Sequence, residues 1–183
     1  NKDKIIIIFD HCVPAEKPEH KQNHLEAEEF ALSQNMANFI GYNGGVSHQV
    51  MCERGFVLPG TIVLGSDSHS TIYGALGAFG IPINRTEMAG IWATGKIWLK
   101  VPETIKVVIN GELQEGVYSK DIILKLLSEL RADGAQYKSI EFTGETVEKM
   151  SMSSRMTLTN MAVELGAKAG IVPFDKITED YLR

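Results

Sequence analysis

Three histidines stand in settings suited to proton transfer. Asp10-His11 and Asp67-Ser68-His69 each bring a carboxylate beside an imidazole, and His48 follows the flexible Gly44-Gly45 pair. An imidazole exchanges a proton near neutral pH, and a carboxylate on one ring nitrogen fixes its tautomer and raises its basicity. The acidic pairs therefore read as candidate acid–base couples. The plainer reading is that Asp10 and Asp67 cap turns or helices while the histidines are solvated loop residues.

Metal chemistry finds less footing. His20 and His24 lie four apart on an expected helix, a possible ligand spacing, but no third ligand accompanies them and their Glu and Lys neighbours read as a solvated face. Cys12 and Cys52 form no CxxC motif, so no zinc or cluster site is expected from this chain alone. The two thiols are expected to stay reduced rather than pair.

The elements that position these residues alternate. Ile5 to Phe9 is a continuous apolar run expected as a strand buried on both faces, and Asp10-His11 follows it directly. A helix is expected from about Glu19 to Met36, then a loop at Asn43 to Gly45. Thr61 to Leu64 reads as the next strand, ending in a polar loop that carries Asp67 to His69, and small residues from Tyr73 to Phe79 suggest a tightly packed helix or turn. Thr86 is expected to cap a helix that reaches Thr94. Thr104 to Ile109 and Glu112 to Val117 flank Asn110-Gly111, the signature of an antiparallel hairpin. Ser119 is expected to cap a helix with Ile122, Ile123, Leu126, Leu127 and Leu130 on its buried face; Tyr137 to Thr143, Ser153 to Leu165 and Ala169 to Val172 read as strand, helix and strand, with a last helix after Pro173.

This order implies an α/β fold: a three-layer α/β/α arrangement with a mainly parallel sheet and a small antiparallel hairpin. In such sheets ligands bind beyond the carboxyl ends of the strands, so both acidic pairs face one cleft if their strands are parallel neighbours. No internal repeat or low-complexity linker divides the chain; the Pro102 region is the one candidate sub-boundary.

The 183 residues, 44% apolar and 22% charged, suit a globular domain with a sizeable core. A net charge of -5 without clustered Lys and Arg argues against a nucleic-acid partner, and no run approaches the roughly 18 apolar residues of a bilayer span. No leader pattern opens the sequence, so a cytoplasmic address is expected. Arginines that hold an anionic substrate must act locally or come from elsewhere.

FDHCVPA from Phe9, GVSHQV from Gly45, LPGTIVLGSDSHSTIYGALGAF from Leu58, ATGKIWLKVPETI from Ala93 and MSMSSRMTLTNMAVELGAKAGI from Met150 together resemble the aconitase superfamily, most nearly the large subunits of its isopropylmalate and homoaconitate branches. The resemblance runs in order over nearly the whole chain. It implies a hydro-lyase that isomerises a hydroxy dicarboxylic acid by loss and re-addition of water, in leucine biosynthesis or a related pathway. It also implies a 4Fe-4S cluster in the full enzyme, with one iron as Lewis acid.

Carried over position by position, the resemblance makes Asp10 and His11 an acid couple at the leaving hydroxyl. It sets His48 near the iron-bound oxygens, makes Asp67 and His69 catalytic, assigns Ser68 and Gln49 to substrate contacts, and takes Glu141 as a glutamate near the iron. Asn160 and Glu164 fall on one helical face, where packing or hydrogen bonding is expected. The SCTN and CxxC motifs that hold the cluster in the family do not occur here, nor does a leading segment with a substrate-binding side chain. A separate small subunit is implied to supply the swivelling domain. Residues 1–183 are accordingly expected to be part of the large subunit's α/β region, inactive alone. Two other classes compete: a mononuclear metal hydrolase using His11, His48 and His69, and a non-catalytic scaffold.

Overall fold

The computed structural model describes residues 2–183. Helices alternate with strands as expected for the α/β class, and all of the strand pairs are parallel. They form three small sheets rather than one. β1 (Ile7–Ile8) pairs with β2 (Phe39–Ile40), β3 (Ile62–Gly65) pairs with β4 (Phe79–Pro82), and β5 (Thr104–Val108), β6 (Ser139–Thr143) and β7 (Ala169–Ile171) make the third in that order. The strands preceding Asp10 and Asp67 are therefore not hydrogen-bonded neighbours, which corrects the expectation of adjacent strands. β1 is also shorter than the apolar run that carries it, and its two residues are only partly buried.

The expected hairpin is absent among the described residues, where 112–117 form no strand. The Asn110-Gly111 turn is spent instead on a helix some 35 residues on. The Asn110 Oδ1 accepts the Glu145 N–H at 3.2 Å, the Ile109 carbonyl accepts the Thr146 N–H at 3.1 Å, and the Gly111 carbonyl accepts the Thr146 hydroxyl at 2.8 Å. With those acceptors committed to the first turn of α5 (Glu145–Glu148), the chain runs on rather than folding back.

The helices are α1 (Pro18–Ser33), α2 (Ser47–Glu53), α3 (Arg85–Thr94), α4 (Ser119–Leu130), α5, α6 (Met152–Asn160) and α7 (Lys176–Leu182), with 3-10 turns at Ser70–Leu76 and Met161–Leu165. α1 starts with Pro at its first position, where the missing N–H costs nothing. α3 is capped one residue pair earlier than expected: Asn84 accepts the Glu87 N–H and Glu87 accepts the Asn84 N–H, a reciprocal box that leaves Thr86 inside the helix. α4 begins at Ser119 with Tyr118 at the cap, held because the Asp121 carboxylate accepts the Tyr118 N–H at 2.8 Å.

Two cores result. One gathers Ile123, Ile140, Phe142, Leu158 and Leu165 around the third sheet, and the other gathers Cys52, Val57, Ala75, Leu76 and Ala78. α6 joins them, because Met152 and Met156 enter the second core while Leu158 enters the first. The wholly buried Ser70–Leu76 turn packs on β7 through glycine: a Cβ on Gly74 would stand 1.6 Å from the Gly170 carbonyl, so only hydrogen fits there. Val172 N–H then donates to the Gly74 carbonyl at 2.9 Å, locking the two cores at that crossing.

Candidate active site

Asp10 leaves β1 and Asp67 leaves β3 at the carboxyl ends of their strands, and the two converge although their sheets are separate. α2 bridges them. Its first residue, Ser47, donates its N–H to Asp10 Oδ2 at 2.8 Å, and the next, His48, donates Nε2–H to Asp67 Oδ1 at 2.8 Å. A helix's first N–H groups have no partner within the helix, so a carboxylate from outside satisfies one and favours the positive end of the dipole. Asp10 thus does cap a helix, as the plainer reading held, but it does so while also holding His11 Nδ1 at 2.7 Å.

Asp67 is the hub. Its Oδ1 accepts both His48 Nε2–H and the His69 backbone N–H at 2.8 Å, while its Oδ2 lies 3.4 Å from His11 Nε2. His69 Nδ1 stands 3.7 Å from the same Oδ1 and 3.1 Å from the Ser68 hydroxyl. On its far nitrogen, Nε2, His69 meets Glu164 Oε1 at 3.2 Å. His48 is the most enclosed imidazole: its ring lies edge-on to Tyr73, and its Nδ1 is buried without a partner. His11 is the most open, with 74% of its side chain exposed.

Charge follows from these contacts. Burial pushes the Asp10 carboxyl up, but the bonds from Ser47 and His11 outweigh it and hold the group below its ordinary value. Burial likewise opposes ionisation of Asp67, and the His69 N–H with the His48 ring overcomes it, so Asp67 too is held low. The hydrogen bond to Asp10 raises the His11 pKa, with the charges of Asp10 and Asp67 adding to it. Both nitrogens of His11 thus face carboxylates, and the ring is set to carry a proton that it can release.

The expected residues divide. Asp10, His11, His48, Asp67, Ser68 and His69 are brought together. Gln49 is not, since its amide donates to Glu53 at 2.6 Å along α2. Glu141 is not either: it sits in mid-β6, in register with Lys106 and Ile171, and its side chain meets none of the site's imidazoles. The glutamate that reaches an imidazole is Glu164, 95 residues from His69 and carried by the 3-10 turn that follows α6. No local pattern couples them; only the expected hydrogen-bonding role of that face hinted at it. The expected helix from Ser153 to Leu165 instead changes at Asn160, whose carbonyl accepts the Thr71 hydroxyl at 3.0 Å.

Could these residues hold a metal or cluster? Among the described residues no group of three or more His, Cys, Asp or Glu is arranged to do so. The imidazoles of His11, His48 and His69 turn nitrogens onto Asp67 rather than onto a shared open point, which removes the geometric basis for the hydrolase reading. Both cysteines are free; Cys12 is exposed, whereas burial pushes the Cys52 thiol up to about 12, away from the thiolate a metal needs. No helix among the described residues is long and apolar enough to cross a membrane.

The sequence model of the aconitase family (aconitate hydratase) matches residues 5–183. A 3-isopropylmalate dehydratase large subunit 1 of Methanopyrus kandleri is 51% identical over 98% of this chain and 43% of its own length. A probable 3-isopropylmalate dehydratase large subunit of Methanothermobacter thermautotrophicus is 50% identical over 99% of the chain and 43% of its length. From the same organism, a probable methanogen homoaconitase large subunit is 46% identical over 99% of the chain and 42% of its length. The chain therefore spans less than half the length of these relatives.

Proposed function

This chain belongs to the aconitase family, and from that premise we propose that it serves within the large subunit of a hydro-lyase that isomerises a hydroxy dicarboxylic acid. The substrate proposed is 3-isopropylmalate, with homoaconitate chemistry as the alternative because a relative of that name is 46% identical. The observation that carries the reading is the Asp67 carboxylate met by His11, His48 and His69 at one rim. Loss of water from a hydroxy acid needs a proton at the departing oxygen and a place for the proton taken from the neighbouring carbon.

His11 suits the first task. Its raised pKa favours the protonated ring, its exposure leaves it open to substrate, and Asp10 stabilises the charge until the proton leaves. Asp67 orients His11 and His48 together, and Glu164 orients His69, with Ser68 on its other nitrogen. The remaining assignments are proposals of the same reading: Gln49 and Glu141 enter only if substrate or another chain draws them in.

A 4Fe-4S cluster is general to the aconitase family, but the described residues do not fit one, since no set of ligating side chains stands together. Arg155, wholly buried on Asp175, is not available to a substrate. A dianionic substrate at a rim of carboxylates needs cations beside it, and a separate small subunit is the partner proposed to supply them. Residues 1–183 are read as part of the large subunit's α/β region, inactive alone and cytoplasmic.

The test is to assemble the full-length large subunit with its small partner under anaerobic conditions with iron and sulfide, and to assay 3-isopropylmalate, homocitrate and citrate. Turnover of the first is expected, with loss in Asp67→Asn. No dehydration of any of the three by a folded, cluster-loaded assembly would sink the proposal.

A further inference from the structure

The segment after β1 is poorly tied to the rest of the chain. Among the described residues, 10–16 make no backbone-to-backbone hydrogen bond, and Cys12 adopts a left-handed conformation (φ 55°) that a side chain other than glycine or asparagine resists. Asp10 is fastened through its carboxylate to Ser47, but that contact fixes a side chain, not the path of the backbone. The carbonyl of His11 has one hydrogen-bond partner, the ring of His24 at 3.2 Å from Nε2.

His24 is itself held on three sides. A carbonyl only accepts, so Nε2 carries the proton and donates it to His11. Nδ1 lies 3.1 Å from the Tyr42 hydroxyl, and in the neutral ring it accepts from that group. The ring stacks on Phe9, with centroids 4.7 Å apart and planes at 24°, and Tyr42 closes edge-on at 5.3 Å. Phe9 is the residue immediately before Asp10. The imidazole thus touches the chain on both sides of the Asp10–His11 couple.

We infer that His24 is a positioning residue for His11: its Nε2–H fixes the His11 carbonyl and its face supports Phe9, so that the exposed His11 ring stays suspended between Asp10 and Asp67. It does not touch the reacting atoms. It corrects the reading of His24 as one of a pair of solvated surface histidines; its helical partner His20 takes no part. The inference rests on the reading of Asp10–His11 as the acid couple only for its catalytic consequence, not for its structural one.

The test uses the full-length protein with 13C-labelled histidine, following the His11 ring by NMR through a pH titration in wild type, His24→Phe and His24→Gln. The groups that face His11 are Asp10 and Asp67, and those that face His24 are Tyr42 and the His11 carbonyl. Phenylalanine keeps the stack on Phe9 but has no donor, so the His11 titration should move down toward an ordinary histidine as the ring drifts from its carboxylates. Glutamine restores an N–H at about the reach of Nε2 and should return the titration toward wild type. In the assembled enzyme kcat should fall about tenfold in His24→Phe with KM little changed.

An unchanged His11 titration in a folded His24→Phe protein would overturn the inference. So would His24→Gln titrating like His24→Phe, because a restored N–H would then fail to hold the turn. A wild type inactive on every hydroxy acid tried, with the His11 shift as described, would remove the proposed reaction and leave the positioning role standing.

Discussion

Two clusters in which basic side chains meet carboxylates, one around Asp175 and one around Asp67, are built on opposite principles. Around Asp175, the guanidinium of Arg155 is fully buried and donates two hydrogen bonds, at 2.7 and 2.6 Å, to one carboxylate; a third N–H reaches the Glu148 carbonyl at 3.1 Å. Arg155 cannot lose its proton, so this cluster has one charge state and one geometry, and it ties α6 to the end of α5 and the start of α7. Around Asp67, each partner is an imidazole, every ring has a different exposure, and each ring can exist in two forms. Burial with a permanent charge makes a clamp. Partial exposure with titratable charge makes a proton store.

Removing the hub of each cluster should break different properties. Asp67→Asn is expected to lower kcat of the assembled enzyme by about 10³-fold, while urea unfolding shifts by no more than about 1 kcal/mol, since partly exposed ion pairs contribute little to folding. Asp175→Ala should do the reverse. It strands a buried guanidinium and costs on the order of 3 kcal/mol of stability by the same measurement, near the low end for a broken buried pair because Asp175 is 33% exposed. Replacing both partners, Arg155→Met with Asp175→Leu, should recover most of that loss. If Asp67→Asn unfolds the protein as Asp175→Ala does, the contrast between store and clamp fails.

A gentler change loosens one anchor of the proton store. Ser47 opens α2, a position where proline is tolerated, and Val46 before it already has the extended backbone that precedes proline readily (φ -69°, ψ 129°). Ser47→Pro therefore deletes both the N–H and the hydroxyl by which Ser47 holds Asp10. The Asp10 carboxyl should titrate higher and His11 lower than in wild type, with kcat down about tenfold and the helix retained by circular dichroism. Ser47→Ala keeps the N–H and should show a smaller change in both.

The smallest effect is on stability against pH, and its sign differs between the carboxylates and His11. Asp10, Asp67 and Asp175 are all held below their ordinary value of 3.8, so each stabilises the fold above that value and the gain is lost as pH falls through the lowered folded pKa. His11 is raised above 6.5, so its contribution is complete below that pH and is lost as pH rises through the raised value. Only the proton store has this alkaline limb. His11→Ala should flatten it, by no more than about 0.5 kcal/mol given the ring's exposure, and leave the acid limb of Asp175 intact.

Much of this was legible in the chain itself. The alternation of apolar runs with amphipathic stretches gave the α/β class, and capping chemistry located α3 and α4 to within a residue or two. The hairpin failed for a reason that sequence does not carry: Asn110-Gly111 is a turn either way, and which groups its carbonyls meet depended on the first turn of α5, some 35 residues on. Glu141 and Glu164 show the same limit within the site. One stands in a strand between Lys106 and Ile171, the other at the end of a 3-10 turn, and their local sequences do not reveal which reaches an imidazole.

By itself, then, the sequence determined the residue types that can move a proton, their attachment to strand ends, and the family to which the chain belongs, because these depend on neighbours along the chain. Tertiary structure alone decided that Asp10 and Asp67 meet although their strands lie in separate sheets, that Glu164 completes His69, and that His24 holds His11 in place. Hydrogen bonds act over about 3 Å, and only folding determines which side chains, distant in sequence, come within that reach.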